Sequence, residues 1–102
     1  MKPIDGDIIA KGKTGLCGFE STNLDFVLRQ NGCDVILLSG FLTNCCVEST
    51  MRAGYERGYK IYTIDDACAA TSIAAHDATF EHNFGMFSIP TNSEKVIASM
   101  SA

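Results

Sequence analysis

The 102-residue sequence predicts an α/β fold: three layers, with a mostly parallel sheet of about four strands and helices on both faces. Three observations lead there. Short β-rich runs recur at Ile8 to Ala10, Val35 to Leu38, Ile61 to Ile64 and Met86 to Ile89, starting about every 26 residues, the period of a strand–helix unit. Each run is mostly apolar rather than alternating, as in strands buried on both faces of a parallel sheet. The stretches between them carry helical spacing.

In chain order, the first helix is expected over Asn23 to Gln30, where Leu24, Val27 and Leu28 fall at i, i+3, i+4 and Asn31-Gly32 supplies a stop. The second runs from about Cys45 to Arg57. Val47, Met51 and Tyr55 make its apolar stripe, Glu48, Arg52 and Glu56 alternate in charge on another face, and Gly58 follows as the stop. A third helix is expected over Ser72 to Phe84 and a fourth over Ser93 to Ser99. Right-handed crossovers join such units. No linker or low-complexity segment interrupts them, so one domain over residues 1–102 is expected.

Composition narrows the function. A formal net charge of −4, with 20% charged residues and no basic cluster, argues against nucleic acid and anionic membranes as partners. The apolar runs are too short to span a bilayer, and Met1 to Gly6 holds no apolar stretch of the signal-peptide kind, which points to the cytosol. Five cysteines, at 17, 33, 45, 46 and 68, are an odd number without framework spacing, against a disulfide scaffold. With only His76 and His82 besides, neither a metal site nor another cofactor is expected.

Ligands of open parallel sheets bind at the carboxyl ends of strands. The turn Ser39-Gly40-Phe41-Leu42-Thr43-Asn44-Cys45-Cys46-Val47 follows one apolar run and opens the second helix, with Thr43 or Asn44 as its N-cap. Cys46 then lies in the first helical turn, where the helix dipole and unpaired N–H groups favour thiolate and suit an oxyanion. On residue type alone, small core residues are the favoured reading of Cys45 and Cys46, since free Cys is often buried.

The segment Gly40 to Thr50 resembles the nucleophile motif of isochorismatase-like cysteine hydrolases, a family that includes nicotinamidases, N-carbamoylsarcosine amidases, and ureidoacrylate and biuret hydrolases. Its Thr-x-x-Cys-Val block aligns Cys46, not Cys45, with the nucleophile. Asp65-Asp66-Ala67-Cys68-Ala69-Ala70 resembles the family's Asp-Ala-Cys-Ala-Ala turn. In the segment Lys13 to Leu24, a Lys precedes a Phe and then Thr-x-Leu, as in the family; Leu24 lies 11 residues after Lys13, which matches the catalytic Lys better than Lys11 does.

The resemblance implies a cysteine-dependent hydrolase acting on a C–N bond of a small-molecule amide or ureide through a thioester, with Cys46 as nucleophile and Lys13 beside it. It implies a cis peptide at Phe41-Leu42 that aims the Leu42 N–H, with that of Cys46, at the oxyanion. Phe19, Thr43 and Asn44 are candidate pocket residues, with a core aromatic an equal reading of Phe19; His76 falls near a position that often holds His and is expected to act as a surface or capping residue. The family's general-base Asp, at the end of its first strand, has no matching segment here. Asp5 and Asp7 read as an ordinary loop, and the metal ligands of the nicotinamidase branch have no counterparts either. These gaps imply a partial domain lacking N-terminal strands. Its apolar sheet edge is expected to pair, as a homo-oligomer or with a separate N-terminal half. The alternative expectation is a non-catalytic paralogue serving as an interaction or regulatory subunit.

Overall fold

The computed structural model describes residues 2–101; positions 1 and 102 of the expected domain lie outside them. Helices and strands alternate along the chain: α1 (Leu24–Gln30), β1 (Val35–Phe41), a wide π-type turn (Thr43–Val47), α2 (Glu48–Glu56), β2 (Lys60–Ala69), α3 (Ile73–Thr79), a second wide turn (Phe80–Phe84), the short α4 (Gly85–Phe87), β3 (Ile89–Thr91) and α5 (Ser93–Ser101). The three strands are parallel in the order β1-β2-β3, giving the expected α/β architecture.

Among the described residues the sheet has three strands rather than about four. Ile8 to Ala10 form no strand, and Ile8 and Ile9 stand largely exposed. Three apolar residues in a row are compatible with a strand, but a strand needs a neighbour to satisfy its backbone, and this run has none. The last strand begins at Ile89 because Met86 lies within a helical segment, Gly85–Phe87, that follows on from the third helix.

The core lies between one sheet face and α2. Ile61 and Thr63 point inward from β2, with Ile36 and Leu38 of β1 beside them. Met51 and Phe84 are fully enclosed, and Val47, Cys17, Phe19 and Tyr59 complete the cluster. The predicted apolar stripe of α2 is therefore real at Val47 and Met51. Tyr55 is half exposed and meets Phe87 edge-on, its ring centroid 5.4 Å away. Beside it on α2, Arg52 pairs with Glu48 at 2.9 Å and lies over the Phe87 ring.

Gly54 lets α2 approach this closely. A Cβ there would meet Ile61 Cδ1 at 2.7 Å and Phe19 Cε2 at 3.2 Å. Phe19 in turn stacks on Tyr59 at 5.7 Å. The Tyr59 hydroxyl donates to Asp25 Oδ1 at 2.6 Å, tying α1 to the start of β2. That bond is the main reason the Asp25 carboxyl sits below its usual range, while burial pushes the Tyr59 phenol up.

The other sheet face is only partly covered, contrary to the expectation of strands buried on both sides. Val35 and Leu37 keep 46% and 47% of their surface. With Tyr62 of β2 and Lys95, Val96 and Met100 of α5 they line a groove of about 280 Å³. The start of α5 is anchored by Asp66, which accepts from the Ser93 N–H at 2.8 Å and from the Ser93 hydroxyl. Among the described residues no helix is long and apolar enough to cross a membrane.

Two predictions follow from this packing. Met51→Ala empties the centre of the core and should lower unfolding free energy by about 2–5 kcal/mol, measurable by chemical denaturation. The Ser93 bonds hold the Asp66 carboxyl below its ordinary value of 3.8. A carboxylate depressed by folding stabilises above its unfolded pKa and loses that contribution as pH falls through the folded one. Amide exchange at the start of α5 should therefore accelerate as pH drops below about 3.8, beyond the intrinsic pH effect. In Asp66→Asn that extra pH dependence should vanish.

Candidate active site

The site forms where β1 and β2 end. Their register slips near the carboxyl ends: Leu38 pairs with Thr63, but Gly40 pairs with Cys68 and Phe41 with Ala69. Residues 64–67 of β2 thus bulge outward opposite Ser39. Gly40 turns the chain with φ +128°, a conformation that a side chain would strain. The next peptide, Phe41–Leu42, is cis. Phe41 keeps 77% of its surface, and the chain then enters the wide turn that carries both neighbouring cysteines.

This turn is not the first turn of a regular helix. The Leu42 carbonyl accepts from the N–H of Cys45 and from that of Val47, each at 3.1 Å, and Asn44 has non-helical angles of −92° and 20°. No side chain caps it; Leu42 occupies the cap position. Thr43 is fully buried and spends its hydroxyl elsewhere, in a 2.7 Å bond with His76 Nδ1, while Asn44 is exposed. The expected capping role of Thr43 or Asn44 is thus replaced by a tertiary contact. Cys46 sits half-buried one residue before Val47, with α2 continuing directly from the turn. The aligned peptides behind it place the positive end of their dipole at this turn.

A second hydroxyl holds the other side of Cys46. Thr50 Oγ1 donates to the Cys46 carbonyl and accepts from the Gly18 N–H, both at 2.8 Å. The loop of residues 12–22 is thereby fastened to α2 and, through Thr50, to the cysteine turn. Lys13 belongs to this loop, with its ammonium on the Gly15 carbonyl. Among the described residues no hydrogen bond joins it to the Cys46 thiol. Lys11 contributes its backbone N–H to Asn23 Oδ1 at 3.0 Å.

Phe19 belongs to the core, 4% exposed and packed at Gly54, two helical turns beyond Cys46. It lies under α2 as part of the core. Asp7 accepts from the Ile4 N–H at 2.9 Å, an ordinary turn. Cys68 stays a thiol, because burial raises its pKa above the ordinary 9.0, with a Gly40 backbone bond acting in the opposite sense. It borders a pocket of about 180 Å³ with Ala69, Ala70, Ser72, Ile73 and His76. Among the described residues no three His, Cys, Asp or Glu side chains group as metal ligands.

His76 is not the surface or capping residue expected. Its side chain is 13% exposed, and Nε2 lies 2.5 Å from Asp65 Oδ1. The true cap of α3 is Ser72, which accepts from the Ala75 N–H at 3.1 Å. Asp65 drew no attention in the sequence beyond its place in the Asp-Asp-Ala-Cys run. The signal available was an acid at the end of a strand with a His in the helix after it.

The isochorismatase domain model matches residues 1–95. This chain belongs to the isochorismatase family. An isochorismatase family protein of Escherichia coli O157:H7 is 40% identical over 79 residues, covering 76% of this chain and 41% of that protein. A ureidoacrylate amidohydrolase of Methylobacterium radiotolerans is 42% identical over 67 residues, 66% of this chain and 26% of that one. The solved isochorismatase-like hydrolase of Alkaliphilus metalliredigens superposes with a TM-score of 0.93 at 27% identity, over 98% of this chain and 54% of that chain. The N-carbamoylsarcosine amidase of Thermoplasma acidophilum does so with a TM-score of 0.77 at 33% identity, over 90% and 51%. The chain therefore spans about half or less of the family members it matches.

Thr50 is the joint between the Lys13 loop and the cysteine turn. In Thr50→Val the Gly18 N–H loses its acceptor, which should cost about 1–3 kcal/mol. Gly18 amide exchange should rise in step; unchanged exchange there would show that the loop is held by something else.

Proposed function

We propose that this chain carries the nucleophile side of a cysteine amidohydrolase that cleaves a C–N bond in a small amide or ureide. The observation that carries this is the position of Cys46: half-buried, at the carboxyl end of β1, at the start of a helix, and directly after a cis peptide. Family membership and the named activities of two relatives, a ureidoacrylate amidohydrolase and an N-carbamoylsarcosine amidase, support the substrate class.

In the proposed reaction the Cys46 thiol yields its proton to a base. The thiolate adds to the carbonyl carbon, and the oxyanion meets the N–H groups of Leu42 and Cys46. The C–N bond breaks as the leaving nitrogen takes up a proton and departs as ammonia or amine. Water then adds to the thioester, the C–S bond breaks, and the thiol recovers its proton. Lys13 steadies the thiolate once its loop turns the ammonium from Gly15 toward the site. The family's Asp base has no matching segment in this sequence, so turnover by this chain alone is expected to be slower by orders of magnitude than with that carboxylate present.

A second reading is a non-catalytic interaction subunit. The free edge of β1 and the half-exposed Val35 and Leu37 favour it, because such an edge and face invite pairing. In either reading the chain pairs along β1 with a copy of itself or with a polypeptide that supplies the remaining strands. A monodisperse monomer by light scattering would count against this pairing.

The deciding experiment is site-resolved alkylation against pH by mass spectrometry. Cys46 should react faster than Cys33, the exposed cysteine. Cys46→Ala should abolish any ammonia release from small amides and ureides. If Cys46 reacts no faster than Cys33, the subunit reading prevails.

A further inference from the structure

The cysteine turn poses a structural problem. Its hydrogen bonds are wide and bifurcated, the Leu42 carbonyl taking the N–H groups of Cys45 and Val47 and the Glu48 N–H reaching both Thr43 and Cys45, with an irregular residue, Asn44, between them, so regular α-helical bonding does not define it. The side-chain bond that leaves its first residue, Thr43, runs to another element, at His76.

We infer that Asp65, His76 and Thr43 form a positioning relay, in which β2 and α3 fix the turn that holds Cys46. The inference rests on the proposed nucleophile for its functional meaning, though not for its geometry. The three groups come from three separate elements and lie in sequence at 2.5 Å and 2.7 Å. Asp65 stands at the outer end, 57% exposed, and Thr43 at the inner end, fully buried. The His76 ring between them also packs on Phe80, with centroids 4.7 Å apart, which restricts its rotation.

The chemistry of the partners dictates the proton positions. An ionised carboxylate only accepts, so Nε2 carries the proton that goes to Asp65. In the neutral ring Nδ1 is then bare and accepts the Thr43 hydroxyl proton. Asp65 thus selects the tautomer that lets a buried hydroxyl donate. Without it the ring is free to place its proton on Nδ1, and the buried Thr43 hydroxyl would then have to accept rather than donate. Thr43 is the first residue of the turn, three before Cys46, so its side chain sets the turn's orientation. His76 also borders the 180 Å³ pocket, so the relay couples that pocket wall to the cysteine turn.

The test reads the ring and the turn directly. In the intact chain, ring 15N shifts of His76 should show the neutral Nε2-protonated tautomer at a pH where the ring is neutral. Thr43→Val should raise amide exchange at residues 44–47 by tenfold or more while α5 is unaffected, and Thr43→Ser should restore the wild-type rates. Asp65→Ala, at an exposed position that spares the fold, should shift the ring toward tautomer averaging and raise exchange in the same residues. An Nδ1-protonated ring in the wild type, a Thr43→Ser variant no better than Thr43→Val, or an Asp65→Ala variant with unchanged ring shifts would each overturn the relay. The wild-type alkylation rate of Cys46 separates the two claims. Slow labelling with the expected tautomer and exchange pattern removes the nucleophile and leaves the relay standing.

Discussion

The approach of α2 to β2, at Gly54 and Ile61, is the contact on which the other features depend. Only a residue without a side chain allows the helix to settle where Met51 is enclosed and Phe19 slips beneath it. Because the helix cannot shift without breaking this packing, its first residues are held at a fixed height above the sheet. The same contact anchors the N-terminal loop, since Phe19 and Cys17 are core residues carried by that loop. One packing decision therefore places both the cysteine turn and the segment that bears Lys13.

Within that frame, two threonine hydroxyls fix the turn from opposite sides. Thr43 reaches back to α3 through His76, and Thr50 reaches across to Gly18. Both are side-chain bonds between elements far apart in sequence, and both involve polar groups withdrawn from water, where an unmade bond is costly. Such bonds are stiff in direction as well as in energy. They suit a segment whose backbone departs from regular geometry at Gly40, at the cis peptide and at Asn44. The irregularity puts Cys46 at the mouth of the sheet; the hydroxyls keep it there.

The unfinished parts of the surface belong to the same account. The β1 edge lacks a neighbouring strand, and α5 covers only part of the second sheet face, leaving Val35, Leu37 and Phe41 to solvent. Phe41 lies next to the cysteine turn, so whatever covers the edge also borders the proposed site. The proposed pairing surface and the proposed site are therefore continuous.

The sequence by itself determined the alternation of helix and strand, because apolar runs of strand length and stripes of helical spacing are local properties. It also singled out Cys46 over Cys45 and pointed to the Phe41-Leu42 bond, though through family resemblance and not through periodicity. It misjudged Ile8 to Ala10, because a strand exists only where another chain segment accepts its hydrogen bonds. Phe19 reads in the sequence as core or pocket; the structure shows its packing at Gly54. The roles of Thr43, Asp65 and His76 were decided only by the tertiary structure. A threonine at a helix start reads locally as a cap, and nothing local reveals that a histidine 33 residues later claims its hydroxyl. Hydrogen bonds between distant side chains depend on how elements pack, and packing is settled by the whole chain at once.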